Sequence, residues 1–283
     1  MVELTSRCYG ADLSGDTIRL AGHTTTAGRT VVDCLEEYPS EQFGQAALGD
    51  DSRLYFSVVE SEAIIKKVRI PGGTEHDSEK LALFEFGVSN PGDTERYFLE
   101  THRLGRDDNR LVVAFHRHSI NQQLNFFERQ AFRPSGFKLR AWALASGYRH
   151  YCWKEGGELI CLVAFDGPAV SYCFLKDLAP VHLGCLENKS AVGSESKRTT
   201  PCLTDLAATI NYQLAGMFRD GCTAPLSLIV VSGRDASPEV TAELENIIGV
   251  RCCLPTPKTA LFSPEVAFRA GKFLVSLGLT VDL

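Results

Sequence analysis

The residues that could do chemistry gather at turns. Asp12 leads into Ser14-Gly15, Arg19 leaves that turn, Asp166-Gly167-Pro168 separates Leu159–Phe165 from Ala169–Phe174, and Gly233 closes the apolar run that starts at Leu226. An Asp-Gly pair between two runs of strand-forming residues is the strongest short hairpin signal, because Gly accepts the positive φ that a tight turn demands. On that reading Asp166-Gly167 is hairpin chemistry. An Asp ahead of a Ser-Gly turn reads as a turn cap or as a carboxylate aimed at a ligand, and both readings stay open for Asp12. His116 and His118 alternate at the end of an apolar run, and His102 stands apart; neither arrangement brings enough ligands for a metal. No Ser-His-Asp, Cys-His or paired-carboxylate spacing constrains a geometry, so the sequence points away from catalysis.

These turns belong to a pattern that occurs twice. Cys8–Leu13, Thr17–Ala21 and Arg29–Cys34 form one three-strand meander, and Leu159–Phe165, Ala169–Phe174 and Pro180–Leu186 form another. Two halves opening on the same meander imply a duplication. Between them, Leu35–Gly49 predicts a short helix with loops, and Leu54–Val59 a buried strand.

Residues 62–136 predict an inserted strand-helix-strand-strand-helix unit. Its parts are Ala63–Ile70, a helix over 77–86 with Leu81, Leu83, Phe84 and Phe86 on apolar faces, Tyr97–Leu104, Leu111–Phe115, and a helix entered by the capping box Ser119–Gln122 with Ile120, Leu124, Phe127 and Ala131 inward. Phe137–Ala141 returns as a strand and 142–152 as a helix. In the second half, 188–200 predicts an exposed loop and 204–220 an amphipathic helix. The run 226–233 predicts a central strand covered on both faces, 237–248 a helix with Pro238 at its first position, 251–254 a strand and 263–277 a closing helix. The domains expected are 1–61 plus 137–156, the insertion 62–136, and 157–283.

Composition bounds the partners. The 283 residues carry a net charge of −6, and no Lys/Arg block appears, so a nucleic-acid backbone is not an expected ligand. No apolar run approaches the roughly 20 residues needed to cross a bilayer. The N-terminus lacks a signal-peptide pattern, so a cytoplasmic location is expected. Ten cysteines, several within strands (Cys161, Cys173, Cys185, Cys252, Cys253) and none in a Cys-x-x-Cys pair, predict buried free thiols.

The order of elements resembles the actin-like ATPase superfamily, an α/β duplicated two-lobe fold of ribonuclease H-like type. The insertion resembles that of the FtsA and PilM branch, carried by Lys67-Val-Arg-Ile-Pro71, by Leu111–Arg117 with the helix and Pro-Ser-Gly-Phe that follow, and by Ala141–Tyr148. The resemblance implies ATP with Mg as the ancestral cofactor, held by two Gly-bearing turns. Here Asp12, Ser14, Gly15 and Arg19 form the first turn, Asp166 and Gly167 the second, and Gly233 the adenosine-side motif. Each is altered: Ser14-Gly15 displaces the usual Gly, Ala164 takes the acidic position, Asp166 takes a glycine position, and Arg234 follows Gly233. A carboxylate where polyphosphate should approach disfavours ATP. The resemblance therefore implies a cytoplasmic scaffold, peripheral to the inner membrane, that takes the cytoplasmic tail of a PilN-like single-span protein of a type IV pilus or secretion system. Its groove is expected at the edges of the 54–61 strand and the 119–132 helix. An ATP-binding actin-like protein with atypical turns, and more weakly a small-molecule kinase of the superfamily, are the alternatives.

Overall fold

The computed structural model describes residues 6–26, 29–49, 52–70, 75–89, 94–104, 109–152, 158–166, 169–187 and 203–281. Strands β1 (Ser6–Ser14), β2 (Thr17–Thr26), β3 (Arg29–Pro39), β4 (Arg53–Val58) and β8 (Gly136–Leu139) form a sheet in the order β3-β2-β1-β4-β8. Strands β9 (Leu159–Asp166), β10 (Ala169–Lys176), β11 (Ala179–Glu187), β12 (Leu226–Ser232) and β13 (Cys252–Cys253) repeat it as β11-β10-β9-β12-β13. In both, an antiparallel meander is extended by two parallel strands, β1 beside β4 and β4 beside β8, β9 beside β12 and β12 beside β13. The duplication read from the two meanders is thus present strand for strand.

Between β4 and β8 the chain forms β5 (Ala63–Arg69), helix α1 (Glu75–Ser89), β6 (Tyr97–Leu104), β7 (Asn109–His116) and helix α2 (Arg117–Arg129). The three strands pair as β5-β7-β6. One face of this small sheet, with Val113 and Phe115, joins the main core; the other, with Val68, Val112 and Ala114, is covered by Ala82 and Phe86 of α1. Residue alternation along β7 therefore serves two cores at once.

Helices α3 (Arg140–Tyr151) and α6 (Leu274–Leu279) exchange lobes. The first follows the first sheet but packs on β9, β10 and β11; the second ends the chain and packs on β1, β2 and β4. They cross each other at two glycines. A Cβ on Gly147 would stand 2.0 Å from the Leu274 carbonyl oxygen, and one on Gly278 would stand 1.7 Å from that of Ala143. The far face of the second sheet is covered by α4 (Leu203–Arg219) and α5 (Pro238–Ile248), the latter capped by Ser237, whose side chain accepts from the Val240 N–H at 3.3 Å, and ended by Gly249 at φ +74°.

Several local expectations are corrected. Residues 35–39 continue β3, so the short helix of that region is only a 3-10 turn at Ser40–Gln45. Helix α2 begins at Arg117, directly from β7, which places Ser119 inside the helix and leaves the capping box unformed; Ala131 lies beyond its end at φ +65° and is exposed. Arg140 and Ala141 open α3 rather than close β8. Ser263-Pro264 starts no α-helix: a 3-10 stretch, Ala267–Phe273, precedes the six residues of α6. Leu81 and Phe84 face outward. Of the cysteines placed in strands, Cys161 and Cys173 are buried while Cys185, Cys252 and Cys253 are half-buried, and none of the five is in a disulfide. The 188–200 loop lies outside the described residues.

Close helix approach makes a size prediction. Gly278→Ala forces a Cβ into a backbone carbonyl and should cost about 3 kcal/mol or more in urea unfolding, at the upper end of overpacking effects. Gly216→Ala on α4, where a Cβ meets nothing within 4 Å, should instead be neutral or stabilise by about 0.5–1 kcal/mol.

Candidate functional site

At the seam between the lobes stands a buried cluster of two carboxylates and two guanidiniums. Asp12 lies near the end of β1, Arg19 opposite it on β2, Asp166 at the last residue of β9 and Arg140 at the first residue of α3, all with 2% exposure or less. Arg19 donates to Asp12 Oδ2 at 2.7 Å and to Asp166 Oδ1. Arg140 donates through Nε to Asp12 Oδ1 at 3.0 Å and through one terminal nitrogen to Asp12 Oδ2 at 3.1 Å and Asp166 Oδ2 at 2.5 Å. Each cation thus spans both anions, one from each lobe.

The remaining valences are filled by neighbours. Ser57 Oγ donates to Asp12 Oδ1 at 2.7 Å, the Arg234 N–H to Asp166 Oδ1 at 2.5 Å, and Arg19 also to the Lys272 carbonyl at 3.3 Å. Gly233 sits against this carboxylate at φ +105°, where a Cβ would stand 2.6 Å from Asp166 Oδ1. The glycine is required both by its backbone conformation and by the closeness of Asp166. Ser14 Oγ donates to the Asp166 carbonyl at 3.3 Å, bringing the ends of β1 and β9 together.

Electrostatics follow from burial and pairing. Removal from water opposes the charge of Asp166, yet Arg19 and Arg140 overcome it and hold the carboxyl below its ordinary range. For Arg19, burial again opposes the charge, and Asp166 and Asp12 together raise its pKa. Two positive and two negative groups in a dry site attract strongly enough to offset desolvation only because every pair is hydrogen-bonded.

A second buried acid stands nearby. Glu60, 4% exposed in the turn after β4, accepts from the Ala141 N–H at 2.5 Å and from Ser171 Oγ of β10 at 2.6 Å. It too joins the two lobes. Burial pushes its pKa up, and its hydrogen bonds to Ser171 and Ala141 only partly offset that rise.

Of the residues singled out in the sequence, Asp12, Ser14, Arg19, Asp166 and Gly233 meet in this cluster. Gly15 occupies the turn at φ +61° with open space around it, and Gly167 lies outside the described residues. Asp166 is more than hairpin chemistry, since its side chain ties β9 to β2 and α3. Arg234 contributes its N–H, while its side chain turns aside to Asp235 at 3.3 Å. Arg140, Ser57 and Glu60 escaped the sequence reading; the one signal was an arginine and a glutamate bordering apolar runs. The histidines are engaged by protein groups: His102 packs at a tilt against Trp142, His116 at a tilt against Tyr97, and His118 contacts Gln122. The strand expected to offer a groove edge has none, because β4 is paired on both sides. Helix α2 remains exposed along Asn121, Gln122, Asn125 and Glu128.

Asp166→Asn should cost about 3–5 kcal/mol at neutral pH, the usual penalty for unbalancing a buried ion network. Because the folded carboxyl is held low, its contribution is present above the ordinary carboxylate range and lost as pH falls through the folded value, so the wild-type advantage over Asp166→Asn should shrink as denaturation is repeated at lower pH. Glu60 is raised, so its contribution is full below the ordinary range and lost as pH rises. Glu60→Gln should therefore gain on the wild type with increasing pH.

No family model and no curated protein matches this chain. Solved structures do. One from the PilM–PilN type IV pilus biogenesis complex superimposes with a TM-score of 0.73 at 14% identity, covering 96% of this chain and 97% of that one. The cytoplasmic domain of EpsL, an inner-membrane component of the Vibrio cholerae type II secretion system, gives 0.54 at 12% identity over 98% and 97%. A Bacteroides thetaiotaomicron protein with an actin-like ATPase fold and unknown function gives 0.50 at 8% identity over 94% and 95%. At these identities the likeness is one of fold: the chain has the fold of the PilM structure, an actin-like fold, here with the same strand order in both of its five-stranded sheets.

Proposed function

We propose that the chain is a nucleotide-independent actin-like scaffold that receives the cytoplasmic tail of a single-span inner-membrane protein in a type IV pilus-like or secretion assembly. The observation that carries this reading is the Asp12–Arg19–Asp166–Arg140 cluster. In this reading the Asp166 carboxylate does what a bound anion would do: it takes both guanidiniums and a backbone N–H, and it joins the lobes. A fold whose seam is closed by its own side chains needs no phosphate to hold it, and a polyphosphate would have to displace a fully paired carboxylate. The work then falls to the surface.

Similarity to a PilM structure solved with PilN, and to the cytoplasmic domain of an inner-membrane protein, supports the partner class. So does an incomplete hydrogen-bond set on α2. Gln123 donates to Glu62 Oε2 at 2.8 Å, but its own Oε1 is buried with no partner. Beside it Leu124 and Phe126 are half-buried. An extended peptide there would supply the missing N–H and cover apolar surface. Among the described residues no helix is long and apolar enough to cross a membrane, so membrane attachment in this reading comes through the partner.

Titration calorimetry with synthetic cytoplasmic tails of inner-membrane assembly proteins encoded beside the gene should give a saturable complex, weakened at least tenfold by Gln123→Ala with Leu124→Asp. Absence of binding by all such tails would overturn the scaffold reading. Millimolar Mg-ATP should leave the melting temperature unchanged; a stabilisation near the roughly 2.7 kcal/mol expected at 100 times Kd would favour an ATP-binding protein instead. Asp166→Gly should expose the two guanidiniums, so that sulfate restores stability better than chloride at equal ionic strength. Equal responses to the two salts would show that Asp166 does not stand in for an anion.

A further inference from the structure

Helix α3 is held at both ends, by different chemistry at each. Arg140 opens it inside the ion cluster, and Tyr151 closes it about 16 Å away at 1.5 Å per residue. At that far end the first lobe meets α3 through an imidazole and a phenol. Tyr151 is 1% exposed, and its hydroxyl lies 3.3 Å from His23 Nδ1 on β2 and 3.5 Å from Thr280 Oγ1, just past α6. The second lobe grips the same turn. The Lys258 N–H donates to the Tyr151 carbonyl at 2.8 Å, Lys258 Nζ donates to the His150 carbonyl at 2.8 Å and the Arg149 carbonyl at 3.5 Å, and Cys152 bridges to Pro257. The ammonium thus fills carbonyls that a helix end leaves open. The His150 ring stands edge-on to that of Tyr151, with 4.6 Å between centroids.

We infer that this end of α3 is an acid-released latch between the lobes, closed while His23 and His150 are neutral and opened when they gain protons. Charge decides it rather than a lost hydrogen bond, because a protonated His23 can still donate to the Tyr151 oxygen. Around His23 stand His150 and Tyr151 of α3, Cys8 beside it on β1, Asp33 of β3 and Arg53 of β4; beside His150 stands Lys258. Protons added here therefore meet cations on two sides. Asp33, the opposing carboxylate, is the extra residue of a β-bulge next to His23; it is exposed and already accepts from Thr24 Oγ1 at 2.6 Å. Burial, then His150, holds His23 below the ordinary histidine value, with Asp33 opposing and Arg53 adding to the fall. Burial, then Lys258, does the same to His150, the more exposed ring. Tyr151 is pushed up to about 12 by burial and stays a neutral phenol. With both imidazoles held low, the closed latch binds fewer protons than the open one, so its stability is full above the ordinary histidine range and lost as pH falls through the folded values. The ion cluster does not follow, since Asp166 is held below the ordinary carboxylate range and keeps its charge where imidazoles gain theirs. Acid thus frees one end of α3 and leaves the other pinned, whatever the chain binds.

Hydrogen exchange of the full chain, with rates corrected for the intrinsic effect of pH, compares the two ends of α3 at about pH 7.5 and about pH 5.5. Protection over 148–152 should fall at least tenfold at the lower pH while that over 140–144 holds. His23→Gln with His150→Gln, which cannot gain the charge, should keep its protection at both. His182→Gln is the control: that ring is also held low by burial, but it faces Lys67, Gln213 and Asp220, so release should persist without it. Equal loss at both ends, no loss at either, loss in the double variant, or release abolished by His182→Gln would each overturn the latch. Proton NMR of the wild-type rings decides it even if the double variant fails to fold: His23 should titrate below about 6.5, and titration at or above that value would overturn the assignment.

Discussion

Neutrality of the seam is the constraint that the rest of this molecule obeys. Two carboxylates and two guanidiniums, each nearly or wholly withdrawn from water, are tolerable together and intolerable apart. Asp12 and Arg19 come from the first lobe's hairpin, Arg140 from the helix that leaves that lobe, and Asp166 from the second lobe's first strand. Charge balance therefore exists only when the lobes are docked. At the seam all four charged groups are spent on internal pairing, which makes it a joint.

The joint is reinforced by backbone contact. Exchange of α3 and α6 between sheets places each helix on the opposite lobe, and the glycines at their crossing let carbonyls approach where no side chain would fit. Ser276 Oγ donates to the Arg19 carbonyl at 2.8 Å, and Ser232 Oγ to that of Gly271 at 2.7 Å, so the residues around the ion cluster are also tied to the C-terminal segment. Burial, hydrogen bonding and charge agree on one arrangement of the lobes, the consistency that makes a single native state.

Most of the scaffold was legible in the sequence because it is encoded locally. Asp-Gly and Ser-Gly turns between strand-forming runs marked the hairpins, Ser237-Pro238 marked the start of α5, and the apolar run after Leu226 marked a strand buried on both faces. What failed was the type or start of a few elements, in the 35–45 and 263–279 stretches and at α2, and whatever depends on distance along the chain. Ser119 has the chemistry of a cap, but β7 passes into α2 without a break, so the cap position falls to His116 and the helix starts three residues early. Asp12 and Arg140 are 128 residues apart, and nothing local in either announces the other. Glu60 is the same case, an acid in a short turn whose partners, Ala141 and Ser171, lie in α3 and β10. Long-range polar pairing is read from geometry; periodicity and turn chemistry cannot supply it.

The position of α6 in the chain has a consequence for biosynthesis. The surface of β1 and β4 that it covers is made among the first 60 residues, while α6 itself is residues 274–279. At roughly 5–20 residues per second, that surface waits on the order of ten seconds to a minute for its lid. Throughout that interval a nascent chain displays an apolar sheet face whose cover has not yet been made, and the faster the elongation, the shorter that exposure.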